Sequence, residues 1–266
     1  MTLLARPDGV DIFWETRGEG PGVVLAHHTL WSMPAIYAEL MDDLARDHQV
    51  VVYDPRGCGQ SSARGPYEFD TDAADLQAVL ETAGGAAVAI AIGDGVNRAA
   101  RVAAARRDLI DSLIAIVPGA AALLPREELK GSGLIAGSDS VIEMLLRMME
   151  ADPRAALRSL VTASNPDLDE EQLRERVDRV AGYVTAEAGA GRTQAWLGDN
   201  LLGPLQSLGD RVRIIHGGVD PLFEGALGAR VAEAFPEARV EALADGPISR
   251  PDLTAAVVRS LSGVRS

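Results

Sequence analysis

Three side chains of the sequence could transfer protons: the imidazole of His28 and the carboxylates of Asp94 and Asp220. Imidazole titrates near neutral pH and can act as an acid, a base or a hydrogen-bond donor. Asp94 lies between Gly93 and Gly95, where a predicted strand gives way to a helix. Glycine at such a turn is expected to leave vacant volume and accessible backbone N–H groups, which suit an anionic or carbonyl oxygen. A carboxylate beside them favours proton abstraction or polar anchoring over stabilisation of an oxyanion.

The composition predicts a soluble protein with one sizeable core and a small accessory subdomain. The chain has 266 residues, of which 47% are hydrophobic, and a formal net charge of −14. A surface this negative repels phosphate backbones and anionic lipids, so we expect neither nucleic acid nor membrane as a partner. No apolar run approaches the roughly 20 residues that cross a bilayer. The oligomeric state is not predicted.

The cysteine usage and the first residues favour a cytoplasmic location. Residues 1–8 contain no apolar segment of the kind found in a secretory signal. Cys58 is the single cysteine and cannot form an internal disulfide, which agrees with a reducing compartment. We expect no metal ion and no cofactor.

Short apolar runs alternate with helical stretches, which predicts the α/β class: a mostly parallel central sheet flanked by helices. The predicted strands are continuous Val, Ile and Ala runs, as expected when both faces of a strand are buried. They are Val10–Trp14, Val23–Ala26, Gln49–Tyr53, Ala87–Ile92, Leu113–Val117, Val212–His216 and Arg239–Leu243. The predicted helices between them are Pro34–Arg46, Thr71–Thr82, Asn97–Arg107, Ala226–Phe235 and Pro251–Leu261.

The region 120–208 has a different pattern, with helix starts before Val141–Met149 and at Asp152-Pro153 and with no strand signal. We interpret it as an inserted helical cap. The core is then formed by residues 1–119 and 209–266. The alternative is that the cap only packs against the core and binds no ligand.

Four segments in this order resemble the α/β-hydrolase superfamily, specifically its members with a helical cap. The run Val23–Leu30 is similar to the family's strand, His-Gly and oxyanion-hole loop. The run Asp54–Ser62 is similar to its D-x-R-G-x-G-x-S turn, and Ile90–Asn97 stands where the nucleophile elbow G-x-S-x-G should be. His216–Pro221 is similar to the strand end that carries the acid of the triad, which identifies Asp220 with that acid.

The elbow can be aligned in three registers, and none of them places Ser or Cys at the nucleophile position. With Gly93 there, Ala91 and Gly95 become the small flanking residues, and the following helix is expected to turn Arg98 and Arg101 outward. With Gly95 there, Arg101 would enter the helix–sheet interface, where an unpaired charge is costly. With Asp94 there, Asp94 would itself be the nucleophile, as in those family members that use an aspartate. We prefer the Gly93 register.

The resemblance also implies a missing histidine. The family has Gly-His about 25–30 residues after the acid, whereas this chain has Gly246-Pro247, and all four of its histidines precede Asp220. Without a nucleophile and a proton carrier, an acyl-enzyme mechanism keeps only the help of binding and of the oxyanion hole.

These losses favour a non-hydrolytic enzyme, such as a lyase, isomerase or cyclase acting on a small, largely apolar metabolite, with Asp94, His28 and possible help from Asp220 as catalytic residues and no covalent intermediate. Two alternatives stay open: a non-catalytic pseudo-hydrolase that binds a small molecule, and a hydrolase that uses Asp94. The residues expected to contact the substrate are Thr29, Leu30, Trp31, Gly93, Tyr183 and Trp196.

Each candidate residue could also have a purely structural role. Asp94 could cap the following helix or pair with Arg98, and His28 could be an ordinary satisfied loop residue. Asp220 could brace its turn, and the three aromatic residues in the substrate set could simply pack between core and cap.

Overall fold

The computed structural model describes residues 2–29, 34–116, 147–148, 151–164, 168–217 and 233–243. Within these ranges, eight strands form one sheet in the order β1-β2-β4-β3-β5-β6-β7-β8. The pairs β1–β2 and β2–β4 are antiparallel, and every other neighbouring pair is parallel. The strands are β1 Thr2–Ala5, β2 Asp11–Arg17, β3 Gly22–Ala26, β4 Gln49–Tyr53, β5 Ala86–Ile92, β6 Ile110–Ile116, β7 Val212–Gly217 and β8 Arg239–Leu243. The predicted α/β architecture is confirmed.

The continuous apolar runs explain why the central strands lie in the middle of the sheet. In β5, the last four residues are all buried, because helices cover both faces of the strand. The predicted bounds of β4 and β8 are confirmed, and the predicted start of β6 lies three residues too late. The prediction missed β1, a strand of only four residues that are mostly exposed at the antiparallel edge.

Helices lie on both faces of the sheet. A 3-10 turn at Pro34–Tyr37 leads into α1 at Ala38–Leu44, which packs on one face, while α2 at Phe69–Ala83 and α3 at Gly95–Ala105 pack on the other. The sequence had predicted α3 two residues later, at Asn97–Arg107. Its actual start at Gly95 places the elbow directly before the first turn of the helix.

The described part of the predicted cap is helical. It contains α4 at Pro153–Ser164, α5 at Glu170–Ala181, α6 at Ala186–Gly198 and α7 at Leu202–Gln206. Helix α5 begins with a capping box, in which the carboxylate of Asp169 accepts hydrogen bonds from the backbone N–H groups of Glu171 and Gln172. A small apolar cluster joins α4 and α5. The division into core and cap stays a prediction.

Arg192 attaches α6 to α2 and to the loop after β4 through buried contacts. The guanidinium of Arg192 binds the carboxylate of Asp72 on α2 through two hydrogen bonds of 2.7 and 3.0 Å, and both side chains are fully buried. The same guanidinium donates to the backbone carbonyl of Arg56. At the end of α6, Asp199 accepts hydrogen bonds from Arg101 and from Asn97 on α3.

Candidate functional site

The turn between β5 and α3 has the backbone of a tight strand-to-helix elbow. Gly93 has a φ of +55°, which L side chains rarely adopt. At Gly95, an added Cβ would overlap the backbone carbonyl oxygen of Ala26. Both glycines are therefore needed by the turn itself, and Asp94 projects between them.

The ring of His28 lies over Gly93. A Cβ built on Gly93 would overlap Cδ2 of this imidazole and would lie 3.0 Å from its Cγ and 3.1 Å from its Nε2. The ring therefore occupies the space into which a side chain at position 93 would project. The expectation that Gly93 leaves vacant volume was wrong, because the neighbouring loop supplies a side chain that fills it.

Asp94 is bound by the loop that follows β3. Its Oδ1 accepts a hydrogen bond of 2.9 Å from the backbone N–H of Thr29, and its Oδ2 accepts one from the hydroxyl of the same residue. The Nδ1 of His28 lies 3.6 Å from Oδ1, and a guanidinium nitrogen of Arg98 lies 3.7 Å from Oδ2. The carboxylate makes no helix-capping hydrogen bond. Of the two purely structural roles considered for Asp94, the pairing with Arg98 is observed and the helix capping is not.

The surroundings of His28 and Asp94 shift the pKa values of both side chains. Burial and the charge of Arg98, opposed by the charge of Asp94, together lower the pKa of His28 to about 4. Burial alone would raise the pKa of Asp94, but His28, Arg98 and the hydrogen bonds from Thr29 lower it to about 2. At neutral pH, the pair therefore consists of an ionised carboxylate and a neutral imidazole.

Arg98 is fully buried, which contradicts the expectation that it turns outward. The first turns of α3 are enclosed on every side, since all residues from Gly95 to Ala100 are buried, so this part of the helix has no outward face. One guanidinium nitrogen, Nη2, donates to the backbone carbonyl of His27. Its Nε and Nη1 have no hydrogen-bond partner among the described residues. Arg101, also expected outside, is half-buried and paired with Asp199 and Asp70.

The predicted aromatic residues of the substrate site have different surroundings. Tyr183 is buried, and its hydroxyl donates to Oδ1 of Asp54 at 2.9 Å and contacts Nε2 of His27 at 2.7 Å. Trp196 on α6 is half-buried. The structure thus brings together His28, Thr29, Gly93 and Asp94. Leu30, Trp31, Asp220 and Pro247 lie outside the described residues.

From the sequence, Arg98 was expected only to turn outward or to pair with Asp94, and Arg192 was given no role. For Arg98, a signal was present, since it lies four residues after Asp94 and faces the same side of the helix. Arg192 had no comparable signal, because its partner Asp72 lies 120 residues earlier in the chain.

The described residues contain no group of three or more His, Cys, Asp or Glu side chains placed to hold a metal ion. No helix in the described ranges is long and apolar enough to cross a membrane.

Known proteins share this architecture. The sequence pattern of the family described as alpha/beta hydrolase fold matches residues 22–130. An esterase from Exiguobacterium antarcticum superposes with a TM-score of 0.84 at 18% identity, over 98% of this chain and 99% of its own. The chain has the α/β-hydrolase fold. A bromoperoxidase from Bacillus anthracis shares it, with a TM-score of 0.80 at 22% identity over 97% of this chain and 96% of its own.

An enol-lactonase from Burkholderia xenovorans is also similar, with a TM-score of 0.77 at 20% identity, and 98% of each chain is covered. These α/β-hydrolase-fold neighbours differ in the chemistry that their names state. Because one fold supports many reactions, the fold alone selects none of them.

Proposed function

We propose that this α/β-hydrolase-fold protein is a non-hydrolytic enzyme that moves a proton on a small, largely apolar molecule, as a lyase, isomerase or cyclase does. The observation that carries the proposal is the placement of His28 over Gly93 with the carboxylate of Asp94 beside its Nδ1. A carboxylate near Nδ1 stabilises the cation that forms when the ring accepts a proton.

In this proposal, the imidazole of His28 accepts and releases the proton, and the carboxylate of Asp94 acts on that ring. The low pKa of His28 keeps its ring neutral at pH 7, so that it can accept a proton from an acidic C–H or O–H group. Asp94 is the weaker base of the two, because its pKa is about 2 whereas that of His28 is about 4. Thr29 holds the carboxylate in place through its N–H and its hydroxyl.

The contact between Asp94 and Thr29 argues against acyl transfer. The family resemblance assigns the loop after β3, which contains Thr29, to the oxyanion hole, where backbone N–H groups must be available to a developing negative charge. Here an ionised carboxylate accepts the Thr29 N–H, and it would repel an oxyanion at this point.

The same contact disfavours Asp94 as a nucleophile. Each of its oxygens already accepts a hydrogen bond from Thr29, and the residue is only 3% exposed. An attacking carboxylate needs an oxygen free to approach carbon.

The second candidate is a pseudo-hydrolase that binds a small molecule without converting it. The observation in its favour is the enclosure of the pair, since His28 is 4% exposed and Asp94 is 3% exposed. A side chain so deeply buried could serve packing and shape alone.

Deuterium exchange tests the proposal against both alternatives. A panel of 1,3-dicarbonyl compounds and enol lactones is incubated with the protein in D2O and followed by proton NMR. We expect catalysed exchange of a C–H group on at least one compound, reduced by about 100-fold or more in His28→Gln and also reduced in Asp94→Asn. The matched control His48→Gln changes a histidine far from the elbow and should leave the rate unchanged.

The other two outcomes would contradict the proposal. Ring opening of the lactones without C–H exchange would identify a hydrolase. Binding detected by saturation transfer, with neither exchange nor ring opening, would identify the non-catalytic binder.

A further inference from the structure

Arg98 connects the two elements that carry His28 and Asp94. It lies on α3, one turn after Asp94, and a guanidinium nitrogen is 3.7 Å from Oδ2 of that carboxylate. Another nitrogen of the same group donates to the backbone carbonyl of His27, directly before His28. One buried cation therefore contacts both the helix side and the loop side of the site.

The burial of Arg98 is costly and therefore needs a compensating partner. The residue has no exposed surface, and two of its guanidinium nitrogens lack hydrogen-bond partners among the described residues. A buried charge whose hydrogen bonds are incomplete destabilises a fold unless an opposite charge lies near. A leucine or methionine would fill a packed site at lower cost, so packing alone does not account for an arginine here.

The surrounding charges leave Asp94 as that partner. From α2, Asp72 faces the guanidinium, and from α6, Arg192 faces it as well, but these two form a fully buried pair with each other. From β4, Tyr53 is uncharged at neutral pH, because burial raises its pKa. From the loop after β3, burial keeps His27 and His28 neutral by lowering the pKa of each. The charge of Arg98 is thus balanced by the carboxylate of Asp94.

We propose that Arg98 is the positioning residue of the site: its buried guanidinium holds the Asp94 carboxylate ionised and turned toward Thr29 and His28. This role rests on the proposed function, since a pair that transferred no proton would not need to be held in one protonation state. Arg98 acts through Asp94 and does not itself contact the reacting molecule.

Two NMR signals of the whole protein, recorded without substrate, test this role. The first is the pKa of His28, from the pH dependence of its ring nitrogens, with the signal assigned by its loss in His28→Gln. The second is the amide proton of Thr29, which a carboxylate acceptor shifts downfield. In Arg98→Met we expect the Thr29 amide proton to move upfield and the pKa of His28 to fall, because losing the charge of Asp94, which raises that pKa, outweighs losing the charge of Arg98, which lowers it.

The conservative variant Arg98→Lys keeps the cation and should recover most of both signals. The matched control is Arg107→Met, which removes the same charge from a side chain that is 72% exposed. It should change neither signal. Equal signals in Arg98→Met and Arg107→Met would overturn the assignment.

A folding failure of Arg98→Met is also decisive when combined with a second variant. We expect Arg98→Met/Asp94→Asn to fold, because it leaves no unpaired buried carboxylate. If the double variant is as unstable as the single one, Arg98 serves packing only and the positioning role is excluded. Both signals are independent of turnover, so a negative exchange experiment would remove the proposed function without changing them.

Discussion

At the scale of single residues, Gly93 links the backbone of the elbow to the position of His28. Its φ of +55° and the overlap that a Cβ would make with the imidazole are separate constraints at one position. The resemblance to the family identified the position, but the sequence could not show that His28 would fill it. That outcome depends on the conformation of a loop 65 residues earlier in the chain.

The first prediction concerns this glycine. Gly93→Ala should lower the free energy of unfolding by about 1–3 kcal/mol from the backbone conformation alone, and the overlap with His28 should add to the loss. Urea unfolding measures the effect. The matched control is Gly203→Ala, since a Cβ there meets no atom within 4 Å. A Gly93→Ala protein as stable as Gly203→Ala would mean that His28 does not lie over position 93.

The prediction for Arg98 failed for a physical reason. Helical periodicity assigns charged residues to the solvent side of a helix, and this rule requires that the helix has a solvent side. The first turns of α3 lie between the sheet, α2 and the loop after β3, so the rule does not apply there. The four-residue spacing between Asp94 and Arg98 predicted the position of the Arg98 side chain better than the periodicity did.

At the scale of elements, a buried ion pair attaches α6 to α2. Arg192 and Asp72 are both fully buried, and together with the contact from Arg192 to the Arg56 carbonyl they join α6, α2 and the loop after β4. The strands were predictable from their apolar runs because burial on both faces leaves a local signature. A pair of charges 120 residues apart leaves none, so this attachment was not predictable.

The second prediction tests this attachment. Asp72→Asn removes one partner of a fully buried pair and should lower the free energy of unfolding by about 3–5 kcal/mol. Glu170→Gln is the control, because Glu170 and Arg158 form an exposed pair whose loss should leave the stability nearly unchanged. Chemical denaturation of both variants gives the comparison. Equal losses would show that the Asp72 pair is open to water.

At the scale of the whole molecule, the buried histidines make the stability depend on pH. Burial lowers the pKa of His28 to about 4 and that of His27 well below its ordinary value, whereas the unfolded chain protonates both near pH 6.5. The unfolded state therefore binds protons first as the pH falls from about 6.5 toward 4. The stabilisation is fully present above this window and is lost within it.

The third prediction is the size of that loss. Inside the window, the free energy of unfolding should fall by up to about 1.4 kcal/mol per pH unit for each of the two histidines. Urea unfolding at pH 7, 6 and 5 measures the slope. His28→Gln should lose about half of it. A slope that stays the same in His28→Gln would show that this imidazole is already exposed to solvent.

The overall architecture was the most predictable feature, because the α/β alternation and the family resemblance agree over the whole core. The chemistry was less predictable, since it depends on whether Asp94 faces a substrate or its own loop. In the structure it binds Thr29, and this contact separates the site from one built for acyl transfer.

Ester cleavage followed by intact-protein mass spectrometry tests this central claim most directly. With p-nitrophenyl butyrate, we predict that the wild-type protein releases nitrophenol no faster than Asp94→Asn does and that its mass stays unchanged. A burst of nitrophenol, together with a butyryl group mapped to residues 93–95, would contradict the account.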